Sequence, residues 1–174
     1  NTTNLGYKLN KNKKLVLGSH SYCHGLGVEN KGNIINYGRT ELMGEQAVDG
    51  LQINFGHCNK MGENSTGGLH INLDRALNIG SLHGGLYVNA SNRHFIGMEN
   101  VLDLNKSEYC LSKKQVKLKR RLENRLKELK VLEAVENESY ERIYKTVKSF
   151  NFKKFEQDIT DLATELKSTG YLSI

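Results

Sequence analysis

The chain has 174 residues, a mass of 19.7 kDa, 17 Gly, no Pro and no Trp, with a mean hydropathy of -0.56, a net charge of +6 and a pI near 9.2. No apolar run approaches the ~18 residues that a membrane-crossing helix needs, and three widely spaced cysteines, Cys23, Cys58 and Cys110, exclude a disulfide framework. Sixteen of the 17 glycines lie at or before Gly97, so two backbone regimes follow one another: a Gly/Asn-rich repeat shaft over 1–105 and a Lys/Glu/Leu-rich helical assembly domain over 106–174.

In the shaft, Gly32, Gly38, Gly44, Gly50, Gly56, Gly62, Gly68 and Gly80 fall on one six-residue grid, and Asp74 fills the missing slot. The residue before each grid position is often large and apolar, as at Tyr37, Met43, Phe55, Met61 and Ile79. Short strands joined by tight corners have this pattern. A slower period lies on top: Gly50-Leu51-Gln52-Ile53-Asn54-Phe55 returns as Gly68-Leu69-His70-Ile71-Asn72-Leu73 and as Gly85-Leu86-Tyr87-Val88-Asn89-Ala90. The spacing predicts a β-solenoid with a superperiod of about 18 residues. It is either a three-sided parallel β-helix made by one chain or a triple β-helix interleaved from three. Alternation of Leu51, Ile53 and Phe55 with Gln52 and Asn54 predicts strands with the aliphatic face buried. The recurring Asn36, Asn54, Asn72 and Asn89 either stack as an amide ladder or turn the chain at corners.

From Ser112, a candidate N-cap, the period becomes helical. Leu118, Leu122, Leu126, Leu129, Leu132 and Val135 share one face, with a break near Glu138 and Ser139. Tyr140, Ile143, Val147 and Phe150, then Phe155, Ile159, Leu162 and Leu166, follow heptad spacing, and Gly170 marks a stop. An α-helical coiled coil or bundle is expected, burying its stripes against itself or against copies, with a homotrimer as the economical solution.

Most of the charge excess lies between Lys113 and Lys130. Lys117, Lys119, Arg120 and Arg121 form a candidate basic patch able to follow phosphates. Because glutamates return from Glu133 onward, a solvated face of a self-associating helix is the preferred reading, and nucleic acid is not the expected partner. Among six histidines, His20 and His24 flank Cys23 in a His-x-x-Cys-His cluster. His20, His24 and His57 are the candidate metal ligands: on a three-fold axis one histidine is presented three times, so a metal ion is the one cofactor to consider. Otherwise no cofactor and no catalytic residue is assigned. Glu45 and Glu63 stand one turn apart as equivalent carboxylates, a spacing that suits repeat surface better than an acid/base pair. Tyr22, Tyr37 and Tyr87 are candidate sugar-stacking faces.

The apolar-Gly hexads, Tyr37-Gly38, Met43-Gly44, Phe55-Gly56, Met61-Gly62 and Ile79-Gly80, are similar to the repeat of left-handed β-helix acyltransferases and gamma-class carbonic anhydrases. That resemblance implies a trimeric enzyme with a histidine between subunits. The prolines and the histidine spacing of that class are absent here, and its small or β-branched hexad residues are mostly replaced by Asn, Glu, Lys or His. The order of a Gly/Asn-rich β-shaft through Asn105 and a Lys/Leu/Glu helical end resembles phage tail-fibre, tailspike and neck-appendage proteins. This second resemblance implies a virion location, a C-terminal segment that drives trimerisation or acts as an assembly chaperone, and host attachment through a cell-surface polysaccharide. Outside a virion, a cytoplasmic location would be expected. The Ser-Asp self-cleavage motif of the chaperone class does not occur, so no catalytic residue is carried over.

Overall fold

The structure, a computed structural model, describes residues 4–98 and 100–171. The chain divides into two compact units between Asn105 and Lys106. The first is a parallel β-solenoid built from two six-stranded sheets. One contains β1 (Asn4–Leu5), β3 (Tyr22–Leu26), β5 (Arg39–Met43), β7 (His57–Met61), β9 (Arg75–Ile79) and β11 (Ile96–Gly97). The other contains β2 (Lys14–Leu17), β4 (Asn33–Asn36), β6 (Leu51–Asn54), β8 (Leu69–Asn72), β10 (Leu86–Asn89) and β12 (Val101–Asp103). Each strand pairs with the strand one turn later in the same chain, as in Leu51↔Leu69 and His57↔Arg75. Rungs are therefore stacked by one coiling chain and not interleaved from three.

Strands occupy two stretches of each turn. The third stretch, such as 44–50 or 62–68, is bend and turn, yet it is also bonded from coil to coil. Gln46 N–H donates to Glu63 O at 2.8 Å, and Thr66 N–H donates to Ala47 O at 2.9 Å. The grid glycines have two uses. Gly44 and Gly62 open these turns at φ 67° and 78°, a region closed to most side chains. At Gly38 and Gly56 the need is space, because a Cβ would collide with the backbone carbonyl of the rung before.

The interior corrects the expected polarity of the strands. The column Leu15, Ile34, Gln52, His70, Tyr87, Val101 runs in register through the second sheet. Its Ile34, Tyr87 and Val101 share one core with Leu26, Met43, Cys58, Met61 and Ile79 of the first sheet. Gln52 and His70 thus face the interior, and the pleat sends Ile35, Ile53, Ile71, Val88 and Leu102 to the sheet's other face, where they too are buried. Polar residues are tolerated inside because their partners recur with the rung. The Nδ2 of Asn36 donates to Asn54 Oδ1 (2.8 Å), Asn54 to Asn72 (2.9 Å), Asn72 to Asn89 (2.9 Å) and Asn89 to Asp103 Oδ1 (3.1 Å). The asparagines also hold the corners: Gly38 N–H donates to Asn36 Oδ1, and Asn54 Nδ2 donates to Arg75 O.

The second unit is helical. The helix α1 (Lys113–Leu126) starts on a Ser112 capping box completed by Gln115. A short 3-10 turn leads into α2 (Lys130–Glu133), followed by α3 (Tyr140–Ser149), capped by Ser139, and α4 (Phe152–Ser168), capped by Asn151. Packing of α1 against α4 is fixed by Gln115 Nε2 donating to Thr169 O at 3.0 Å and by the Arg125–Asp158 ion pair. The stripe from Leu118 to Val135 and the stripe Phe155, Ile159, Leu166 are buried within the single chain. Tyr140 departs from its expected place in a heptad core and is 85% exposed. No helix among the described residues is long and apolar enough to cross a membrane.

Candidate functional site

The outer face of the first sheet assembles residues that lie far apart in the chain. Tyr22, Arg39, His57 and Arg75 form one in-register column across β3, β5, β7 and β9, with neighbours about 4.8 Å apart. One alternation further along each strand lie His24, Glu41, Asn59 and Leu77. Between the two sets, Cys23, Thr40, Cys58 and Ala76 point inward and are buried, which fixes the outer set towards solvent. Tyr22, His24, Arg39 and Arg75 are exposed, and His57, Glu41 and Asn59 are partly so.

A hydrogen-bond network fixes part of this face. Asn59 Nδ2 donates to Glu41 Oε2, and Tyr22 Oη donates to Glu41 Oε1 at 3.4 Å. The Asn59 amide nitrogen being committed to Glu41, its Oδ1 faces His57 Nε2 at 3.0 Å, so the imidazole carries its proton on Nε2. The two arginines are different. Arg93, Arg120, Arg125 and Arg142 each contact a carboxylate, whereas Arg39 and Arg75 form no ion pair among the described residues. Their charge is open to solvent on both sides of His57.

The expected metal histidines separate. His20 lies on the exposed turn after β2, while His24 and His57 lie on the sheet face. Cys23 cannot join His24 on one ion, because successive strand residues face opposite ways. Its thiol meets Thr40 Oγ1 at 3.5 Å in the interior, and burial raises its pKa. Cys58 is also enclosed, and burial pushes its thiol up to about 12. Among the described residues no three His, Cys, Asp or Glu side chains gather around a common point.

Of the three candidate sugar-stacking tyrosines, Tyr22 is on the surface at 45% exposure. Tyr37 is buried and stacks on Phe55 with ring centroids 5.2 Å apart. Tyr87 is fully enclosed, stacks on His70 at 4.7 Å and donates from its hydroxyl to Gly84 O at 2.7 Å. Both are rung-to-rung packing residues, and sugar has no access to either. Glu45 and Glu63 fall on the turn side of the solenoid, where Glu63 pairs with Lys60 at 3.2 Å.

The basic patch is partly neutralised. Lys119 is 6% exposed and contacts Glu123 and Glu108, and Arg120 pairs with Glu108 at 2.9 Å. Lys117, Arg120 and Arg121 line a groove of about 440 Å³ with Leu111 and Val116. A second groove of about 620 Å³ between α1 and α4 is lined by charges of both signs, including the Arg125–Asp158 pair. The second groove is thus of mixed charge, whereas the first, which Lys113 also lines, has no carboxylate among its lining residues.

Arg39, Glu41, Asn59 and Arg75 are site residues that sequence reading missed, and the two arginines were the ones within reach. Each follows a grid position, Gly38-Arg39, Gly56-His57 and Asp74-Arg75, so the 18-residue equivalence of Arg39, His57 and Arg75 was the available signal. Comparison with protein-family models, with curated proteins and with solved structures finds no match.

Proposed function

We propose that the chain is a structural and attachment segment of a viral fibre or appendage, in which the solenoid presents its first sheet to a cell-surface polysaccharide. The observation that carries this reading is the exposed face of Tyr22, His24, Arg39, Glu41, His57, Asn59 and Arg75. It combines an aromatic ring with fixed donors and acceptors on a regular lattice, the chemistry by which extended saccharides are held. The backing is rigid, since every rung is bonded above and below, so little ordering entropy opposes binding. Multiple copies would add avidity to a weak single-site contact.

In the same reading, three chains associate through the helical unit in a coiled-coil-like bundle. With its leucine stripes buried in the chain itself, association uses the outer apolar residues Val131, Tyr140 and Tyr144, which are 58%, 85% and 58% exposed. Native mass measurement tests assembly directly: a trimer has three times the mass of the 19.7 kDa chain, and a monomer at all concentrations removes this part of the proposal. Attachment is tested by affinity electrophoresis through gels containing soluble bacterial or plant polysaccharides. Retardation by at least one polymer is expected, and Tyr22→Ala should weaken it about tenfold, the loss of one stacking contact of roughly 1–1.5 kcal/mol. Mobility unchanged in every polymer would refute the attachment reading.

A further inference from the structure

Resting on the attachment reading, we infer that the polysaccharide is acidic, and that Arg39 and Arg75 are the residues that select for its carboxylates or sulfates. The two guanidiniums occupy equivalent positions two rungs apart, on either side of His57 in a single column. Adjacent strands lie about 4.8 Å apart, so the two charges repeat at roughly 10 Å along the solenoid. An extended glycan with an acidic group on alternate sugars offers charges at a similar repeat. Guanidinium presents planar paired donors that match a carboxylate or sulfate in bidentate fashion.

Charge complementarity is the second support. Glu41, the acidic member of this face, is occupied by Asn59 and Tyr22, and nearby Asp74 is taken by Arg93 Nε at 2.7 Å. The carboxylates around the column are thus satisfied by other donors, which leaves Arg39 and Arg75 for an external anion. Tyr22 ends the same column and supplies a ring for the sugar adjoining the anionic group. His57, whose Nε2 is engaged by Asn59 Oδ1 at 3.0 Å, stands as a spacer between the arginines.

The test uses the full chain in affinity gels containing polygalacturonate, dextran sulfate or neutral dextran. Retardation by one or both acidic polymers is expected, with at least a tenfold loss in the Arg39→Gln/Arg75→Gln variant. The Lys114→Gln/Lys117→Gln variant, which removes the same charge from the helical unit, should bind as the parent does. An equal loss in both variants would show a diffuse charge effect and overturn the inference. Retardation by dextran alone would overturn it while leaving the attachment reading standing, and no retardation by any polymer would remove both. Circular dichroism of each variant, unchanged from the parent, establishes that a loss of binding is not a loss of fold.

Discussion

At the scale of single residues, the interior column of Gln52, His70 and Tyr87 makes stability depend on pH. His70 is fully buried, donates from Nε2 to Gly67 O at 3.2 Å and stacks on Tyr87, and burial pushes its pKa down to about 4 from 6.5. Above pH 6.5 the imidazole is neutral in the folded and unfolded states alike. As pH falls from 6.5 towards 4, the unfolded chain takes up a proton that the folded chain refuses, so stability drops by about 3 kcal/mol over that window and no further below it. Urea midpoints at pH 7 and pH 4.5 should differ more for the parent than for His70→Gln; equal differences would mean that the imidazole is not enclosed. This column also shows where sequence reading failed. Alternation of Leu51 and Ile53 with Gln52 and Asn54 was read by the rule that apolar means inward, which holds for a half-buried sheet. In the solenoid Asn36, Asn54, Asn72 and Asn89 each meet an asparagine one rung away, so an amide satisfies an amide and this polar set sits inside. Gln52 and His70 lie between unlike neighbours, and His70 is held by its stacking on Tyr87 and its bond to Gly67 O.

At the scale of elements, the repeat was legible because two different physical demands fall on the same beat. Glycine stands where a corner passes close to the previous rung, as at Gly38 and Gly56, and where a turn opens at positive φ, as at Gly44 and Gly62. What the grid concealed is that one hexad in three is turn and not strand. Apolar-then-Gly looks alike before a corner and before a bend. In the first four coils such turns also hold a non-glycine residue at positive φ: Lys8 at 52°, Glu29 at 53°, Gln46 at 53° and Asn64 at 57°. Gln46→Val, β-branched at such a position, should cost about 1–3 kcal/mol, while Gln46→Asn should be close to neutral. Chemical denaturation of the two variants separates these outcomes, and equal stabilities would place Gln46 outside the left-handed region. The helical elements were legible from the cap at Ser112, the break near Ser139 and the leucine stripe. Their partners were not, because a heptad pattern states which face is apolar without stating whether the covering face belongs to the same chain. Tyr140, heptad-spaced yet exposed, shows that limit.

At the scale of the whole molecule, a rung is the natural unit of change. Deleting 50–67 removes 18 residues and brings Gly68 to the place of Gly50, so every column loses one member and keeps its register. Deleting nine residues instead would join strand to turn. The first variant should retain β circular dichroism and a cooperative melt at a lower temperature, and the second should be unfolded or aggregated; the same outcome for both would mean that rungs are not interchangeable. The candidate site belongs to this scale as well. Tyr22 was legible as an isolated aromatic, but the column from Tyr22 to Arg75 exists only because consecutive turns bring residues 17 or 18 apart side by side. The amide ladder has a direction that gives this stacking a finite length. Each amide from Asn36 to Asn89 gives its proton towards the later rung, and the last gives it to Asp103. Aligned dipoles therefore end against a negative charge, and a carboxylate has no proton to hand on. One oxygen where the repeat would have placed an amide nitrogen thus closes the run of donors, and Asp103 turns instead to accept from the backbone and side chain of Asn105.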